Sequence, residues 1–126
     1  MPGASRTTAP RTANGPGYEG HFDQLGEYTV AFERFSGGGD MAPLFRGLPD
    51  DRCQSPHWGV VLEGRLTFTY ADGEDVIEAG EAYYAPAGHT PAADPGTETI
   101  EFSPTADLHA TMAVVMKNVE ALGAEA

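Results

Sequence analysis

The chain has 126 residues, of which 40% are hydrophobic, and it carries a formal net charge of −12 at pH 7. Such an acidic surface repels phosphate groups, which argues against nucleic acid and anionic membranes as partners, and no apolar run approaches the ~20 residues that a membrane-spanning helix needs. The single cysteine, Cys53, excludes an intramolecular disulfide framework and any cysteine-rich zinc module.

The first 20 residues are predicted to form a disordered arm, because they are rich in Ala, Thr, Pro and Gly and show no apolar period. They also lack the apolar central segment of a secretory signal. Together with the absence of disulfides, this predicts a cytoplasmic protein with one folded domain over residues 21–126.

Short strands separated by turns are predicted after this arm. The first covers Tyr28–Phe35 and ends at three consecutive glycines, and residues 40–52 are predicted to form a loop or a short strand. Apolar alternation and turn residues predict further strands at residues 60–62, 65–70, 76–78, 82–85 and 97–102, with an Asp-Gly hairpin turn at 72–73. Many short strands at near-regular spacing favour an all-β sandwich or barrel.

The last part of the chain changes from strand to helix periodicity. A hydroxyl followed by a proline at Ser103-Pro104 is typical of a helix start, and a helix is predicted over about residues 105–122. Apolar residues then recur at helical spacing: Leu108, Met112, Val115, Met116, Val119 and Leu122. One such stripe predicts packing against the barrel or against a second subunit, and His109 beside it is expected on the surface.

Two histidines mark the most informative stretch of the sequence. His57 and His89 each stand at the end of one of two consecutive strand pairs, and a glycine-punctuated turn separates the pairs. Histidines placed in this way on neighbouring strands can point into the same pocket of a small barrel. The pattern therefore predicts a pocket that contains chemically active side chains.

The glycines and proline of the same stretch resemble the motifs of the cupin family. The second cupin motif contains a glycine, five residues, a proline, one residue and a glycine, which Gly80, Pro86 and Gly88 match. Gly64 matches the last glycine of the first motif. The resemblance covers about residues 28–103 and implies a cupin-type β-sandwich or short barrel, a jelly roll, followed by the C-terminal helix.

The resemblance does not extend to the family's usual metal ligands. His57 stands where the first motif has a glutamate, and Cys53 and Asp51 stand where it has two histidines. Pro91 occupies the histidine position of the second motif, and His89 lies two residues earlier. The three-histidine, one-glutamate site is absent in that form, which leaves Cys53, His57 and His89 as candidate ligands, with Asp51 as a less favoured fourth.

Strand geometry permits this altered set. A shift of two residues moves His89 by ~6.6 Å but keeps its side chain on the same face. On a straight strand Cys53 and His57 would stand ~13 Å apart, which is too far to share an ion, but Pro56 between them allows the chain to bend. Nitrogen and thiolate donors with an open position suit one divalent transition metal, Zn²⁺ or Fe²⁺ before Ni²⁺ or copper.

Other interpretations of these residues stay open. Cys53 could be a small buried apolar residue, and the two histidines could bind a ligand or a backbone carbonyl without any metal. Glu101 lies in the last predicted strand, where an inward carboxylate is costly unless paired, so it is either outward-facing or functional.

Two hypotheses for function follow. In the first, the chain is a metal-binding cupin that acts on a small organic molecule in the barrel, by oxygenase, isomerase, cyclase or lyase chemistry. In the second, it is a metal-free small-ligand-binding or sensor cupin, or one that uses a histidine as general base. The resemblance also implies pairing into a homodimer.

Overall fold

Ten strands and one helix follow one another in the computed structural model, which describes residues 3–125. The strands are β1 (Arg11–Gly15), β2 (Tyr18–Leu25), β3 (Tyr28–Phe35), β4 (Gly39–Asp40), β5 (His57–Glu63), β6 (Arg65–Tyr70), β7 (Gly73–Glu78), β8 (Ala82–Ala85), β9 (Thr90–Ala93) and β10 (Thr97–Pro104). Helix α1 spans Thr105–Glu125. Two short 3₁₀ turns, Ala42–Phe45 and Pro49–Asp51, lie between β4 and β5.

The strands form two antiparallel sheets that face each other. The six-stranded sheet has the order β1-β2-β3-β10-β5-β8, and the four-stranded sheet has the order β4-β9-β6-β7. Val61 and Tyr83 from the first sheet pack against Leu66 and Phe68 from the second, and all four side chains are buried. The predicted all-β sandwich with a C-terminal helix is confirmed.

Residues of β10 alternate between the interior and the outer face of the larger sheet, as the two-residue period of a strand requires. Thr97, Thr99 and Ser103 are buried, whereas Phe102 is 37% exposed. The inward residues of this central strand are hydroxyls and one carboxylate rather than aliphatic side chains. The interior of the sandwich therefore has a polar part, and the candidate site lies there.

The prediction of a disordered arm over residues 1–20 is wrong from Arg11 onward. Strand β1 pairs with β2 from Arg11↔Phe22 to Gly15↔Tyr18, and β2 pairs in turn with β3. All residues of β1 are exposed, so this edge strand is held by main-chain hydrogen bonds and needs no apolar period. Strands β1, β2, β4 and β9 were not predicted from the side-chain pattern.

Helix α1 packs across the connection that leads to β5. Val115 contacts Phe45 and Cys53 in a small buried cluster, and the Asn118 side-chain amide donates hydrogen bonds to the carbonyl oxygens of Leu44 (2.7 Å) and Arg46 (2.8 Å). The helix therefore covers one side of the chain segment that contains Cys53. Among the described residues, no helix combines the length and apolarity needed to cross a membrane.

Candidate metal centre

The structure brings Cys53, His57 and His89 together in the interior. One potential ligand atom from each residue lies within 4.8 Å of the other two, and all three residues are buried. Cys53 Sγ is 3.5 Å from His57 Nε2, and the centroids of the two imidazole rings are 4.9 Å apart. The arrangement provides one sulfur and two nitrogen donors that face a common point.

Main-chain hydrogen bonds place Cys53 beside His89. The Cys53 N–H donates to the His89 carbonyl (2.7 Å), and the Gly88 N–H donates to the Cys53 carbonyl (2.7 Å). The first of these bonds belongs to an isolated antiparallel bridge between Cys53 and His89, outside the named strands. The chain then bends over residues 54–56 before β5 begins at His57, so the ~13 Å separation of a straight strand does not arise.

Hydrogen bonds at Nδ1 leave Nε2 of each imidazole directed at the cluster. Nδ1 of His89 is 2.7 Å from the Pro86 carbonyl oxygen, which can only accept, so Nδ1 carries the proton and Nε2 has the lone pair. That Nε2 atom is buried and has no hydrogen-bond partner among the described residues. Nδ1 of His57 lies 2.7 Å from Ser103 Oγ and 3.2 Å from Glu101 Oε1, so its Nε2 is free to face Cys53.

The spacing of the Cys53 and His57 donor atoms fits a tetrahedral transition metal. Bonds of about 2.3 Å to sulfur and about 2.0 Å to nitrogen, meeting at a tetrahedral angle, hold the two donor atoms about 3.5 Å apart. The Cys53 Sγ to His57 Nε2 distance is 3.5 Å. An outer hydrogen bond at the second ring nitrogen is also the usual support of a metal-bound histidine, and both histidines have one.

Burial keeps all three groups uncharged in the absence of a cation. It lowers the pKa of His57 to about 4 and that of His89 to about 4, and it raises the pKa of the Cys53 thiol to about 12. Neutral imidazoles are ready to coordinate, whereas the thiol must release its proton when a metal binds. A metal that bound at this centre would therefore displace one proton.

A polar pocket lies at the surface, and two of its lining residues contact the buried His89. It has a volume of about 380 Å³ and is lined by Tyr70, Asp72, Gly73, Glu74, Asp75 and Pro86. Tyr70 and Pro86 both contact His89, the first with ring centroids 5.9 Å apart and the second through the hydrogen bond at Nδ1. Tyr70 and Pro86 therefore separate this pocket from His89.

Asp51, the less favoured fourth ligand, lies outside the cluster. Its Oδ1 atom accepts a hydrogen bond from the Gly47 N–H at 2.9 Å, and the residue is exposed at the end of a 3₁₀ turn. Asp50 and Asp51 both have positive φ, at 57° and 56°, which directs the chain away from the strand geometry that the prediction assumed. The carboxylate stabilises this turn and does not reach the donors.

Glu101 points inward, and Ser103, which the sequence analysis assigned to the helix start and not to the site, joins it on the inner face of β10. Glu101 accepts a hydrogen bond from the Tyr83 hydroxyl (2.5 Å), and its side chain is 15% exposed. Both residues follow from the alternation of β10, since inward positions recur every second residue. The pattern could have indicated Ser103 once Glu101 was assigned to the inner face.

Similar solved structures show that the chain has the cupin fold. No protein-family model and no curated protein matches the sequence. A protein of unknown function from Rhizobium leguminosarum is 20% identical, with a TM-score of 0.57 over 82% of this chain and 95% of that one. An RmlC-like cupin from Shewanella frigidimarina is 16% identical, with a TM-score of 0.54 over 80% and 88%. Bacillus subtilis oxalate decarboxylase is 14% identical, with a TM-score of 0.57 over 80% of this chain but only 28% of its own length.

Proposed function

Because the chain has the cupin fold, we propose that it is a small metal-binding cupin in which Cys53, His57 and His89 hold one divalent transition metal, Zn²⁺ or Fe²⁺. The observation that carries this proposal is the buried Nε2 atom of His89, which has a lone pair and no partner among the described residues. A buried acceptor without a partner is costly, and a metal ion at this point would remove the cost.

Three protein donors leave a coordination position for a reactant, so we further propose that the chain acts on a small organic molecule. The metal would supply Lewis-acid chemistry, and the reaction would be of the oxygenase, isomerase, cyclase or lyase type. The pocket beside Tyr70 and Pro86 is the proposed route for the ligand. The shared fold of oxalate decarboxylase, an enzyme that acts on a small organic acid, supports this substrate class.

We also propose that the chain works as a cytoplasmic homodimer. Aromatic side chains cluster on the outer face of the six-stranded sheet, where the Trp58 and Tyr84 rings stack with centroids 5.1 Å apart. Trp58 is 39% exposed and Tyr84 is 56% exposed. A contiguous apolar patch of this kind is typical of a protein interface, and a second copy is the proposed partner.

A metal-free ligand-binding or sensor cupin is the second candidate. It is favoured by the 3.5 Å contact between Cys53 Sγ and His57 Nε2, which an S–H···N hydrogen bond would satisfy without any ion. In that case His57 and His89 would bind the ligand directly, or one of them would act as general base.

Metal content separates the two candidates. Protein purified without an affinity-metal step should contain about one Zn or Fe per chain by elemental mass spectrometry. His57→Ala and His89→Ala should each lose most of that metal, and Cys53→Ser should retain less of it because a thiolate is replaced by a poorer donor. His109→Ala, on the exposed side of α1, is the matched control and should keep the wild-type content.

Full metal content in both histidine variants would refute the ligand assignment. A protein that contains no metal and binds neither added Zn²⁺ nor added Fe²⁺ would instead support the metal-free candidate.

A further inference from the structure

Two carboxylates lie in the interior beside the Cys–His–His cluster, and the metal centre uses neither of them as a ligand. Glu33 is on β3 and Glu101 is on β10, and these strands are neighbours with Thr99 directly opposite Glu33. Glu101 follows Thr99 by two residues and therefore lies on the same face, diagonal to Glu33. Directly opposite side chains have Cβ atoms about 5 Å apart, and diagonal ones remain within reach of long side chains.

Each of these carboxylates is held by a tyrosine that crosses over a glycine. Tyr18 donates its hydroxyl to Glu33 Oε2 at 2.6 Å, and Tyr83 donates to Glu101 Oε2. Gly20 and Gly59 are the residues paired with Glu33 and Glu101 on the adjacent strands. A Cβ atom at either glycine would collide with the tyrosine hydroxyl, so both glycines are needed for this arrangement.

The carboxylates lack a basic partner that would neutralise them both. Within the described residues, no arginine or lysine forms an ion pair with either one, and the arginine next to Glu33 in sequence, Arg34, pairs with Glu98. Of the basic side chains between residues 3 and 122, only the buried imidazole of His57 approaches, with Nδ1 3.2 Å from Glu101 Oε1. Burial and the charge of Glu101 accordingly raise the pKa of Glu33.

Thr99 adds an independent observation that points to a ligand. Its side chain is 1% exposed, and its Oγ1 atom has no hydrogen-bond partner among the described residues. A proton shared between the two glutamates would leave this oxygen without a partner. Because Thr99 is opposite Glu33 and two residues before Glu101 on the same face, a cation bound between the carboxylates would give this oxygen a partner.

We propose that Glu33, Thr99 and Glu101 form a second cation site with an all-oxygen ligand set. Carboxylate and hydroxyl oxygens are the donors that Ca²⁺, Mg²⁺ and Mn²⁺ prefer, in contrast to the sulfur and nitrogen donors of the first centre. The hydroxyls of Tyr18 and Tyr83 occupy one oxygen of each carboxylate and orient the other, as outer hydrogen bonds do at metal sites. His57 lies between the two sites, since its Nε2 faces Cys53 and its Nδ1 faces Glu101.

Terbium luminescence tests this proposal, because Tb³⁺ binds at oxygen sites and is excited through nearby tyrosines. Chelator-stripped protein should bind one Tb³⁺ per chain in a saturable manner, and Ca²⁺ should displace it. Glu33→Gln keeps an acceptor for Tyr18 but removes a ligand charge, and its affinity for Tb³⁺ should fall by about tenfold or more. Glu98→Gln, the neighbour of Thr99 on the outer face of β10, is the matched control and should bind as wild type.

Two further variants complete the test. His89→Ala removes a donor of the first centre and should leave the Tb³⁺ affinity unchanged. The oxygen site and the Cys–His–His centre are thereby tested separately. Thr99→Val is nearly isosteric, and it should weaken Tb³⁺ binding even if Glu33→Gln does not fold. Wild-type affinity in Glu33→Gln or in Thr99→Val, or no saturable binding by the wild-type protein, would overturn the proposal.

Discussion

His57 shows how much of this site depends on single hydrogen bonds. The imidazole has two nitrogens, and the 2.7 Å contact with Ser103 and the 3.2 Å contact with Glu101 both engage Nδ1. Nε2 is therefore the atom that faces Cys53. If Nδ1 had no hydrogen bond, the ring could rotate or change tautomer, and the lone pair of Nε2 would no longer be directed toward Cys53.

Replacing Ser103 should accordingly weaken the metal centre without removing it. In Ser103→Ala we expect the affinity for Zn²⁺ to fall by about 10- to 100-fold, because the ring of His57 loses an orienting hydrogen bond while all three donors remain. Competition with a fluorescent chelator measures this affinity, and saturating metal should restore full occupancy. Ser36→Ala, at an exposed serine, should behave as wild type, and equal affinities in the two variants would exclude this role for Ser103.

Glu33 should make the stability of the protein depend on pH when divalent cations are removed. Burial and the neighbouring Glu101 raise its pKa in the folded state, so the folded chain binds more protons than the unfolded chain above the ordinary pKa of glutamate. In the presence of a chelator, the free energy of unfolding should therefore fall as the pH rises from the ordinary pKa of glutamate to the raised pKa of Glu33 in the folded state. In Glu33→Gln the free energy of unfolding, measured with urea, should fall less steeply with rising pH. A fall as steep as that of wild type would contradict the buried position assigned to Glu33.

At the scale of the element, each central strand makes one face for the interior and one for the outer surface. Strand β5 has His57, Gly59 and Val61 on the inner face, with Trp58 on the outer one. Gly59 is needed because Tyr83 passes over it to reach Glu101. A small residue on one strand thus determines where a side chain of the next strand lies.

A side chain at Gly59 should disturb this contact. Its Cβ atom would lie 2.6 Å from both the Tyr83 hydroxyl and the Ile100 carbonyl oxygen. Since the carbonyl belongs to the central strand and cannot easily move, Gly59→Ala should lower the free energy of unfolding by about 1–3 kcal/mol. Chemical denaturation measures the change, and Gly15→Ala, where no atom lies within 4 Å of the new Cβ, should stay within about 0.5 kcal/mol of wild type. Equal stabilities would show that the interior tolerates the methyl group.

At the scale of the whole molecule, the polar interior is covered while an aromatic surface is exposed. Helix α1 and the two 3₁₀ turns cover the Cys53 side of the sandwich through Val115 and Phe45. The outer face of the larger sheet has no such cover within the described chain, and Tyr28 and Trp58 meet there edge to face with centroids 5.9 Å apart. Exposed aromatic area of this kind is stabilised when a second molecule covers it.

Charges placed on this surface should separate the proposed dimer. In a Trp58→Lys, Tyr84→Lys double variant, light scattering after size exclusion should show the mass of one chain, whereas wild type should show two. Val76→Lys alters an equally exposed apolar residue on β7 of the other sheet and should remain dimeric. A wild-type mass of one chain would exclude the dimer.

The sequence by itself determined six of the ten strands, the sandwich and the residue types of the candidate centre. Alternation within 65–70 and 97–102 is a local property, because successive side chains of a strand point to opposite faces whatever the rest of the chain does. The cysteine and the two histidines were identified because their side chains can bind metals and because of their spacing from the cupin-like motif residues Gly64, Gly80, Pro86 and Gly88. None of these inferences needed contacts between distant residues.

Only the tertiary structure decided which of these side chains meet. The bend over residues 54–56 and the main-chain bridge to His89 bring Cys53 into the cluster, while Asp51 is directed to Gly47 instead. The pairing of Glu33 with Thr99 depends on the register between β3 and β10, which lie 66 positions apart at this point. Main-chain hydrogen bonds are almost independent of side-chain type, so neither this long-range register nor the pairing within the β1–β2 hairpin is visible in the apolar pattern.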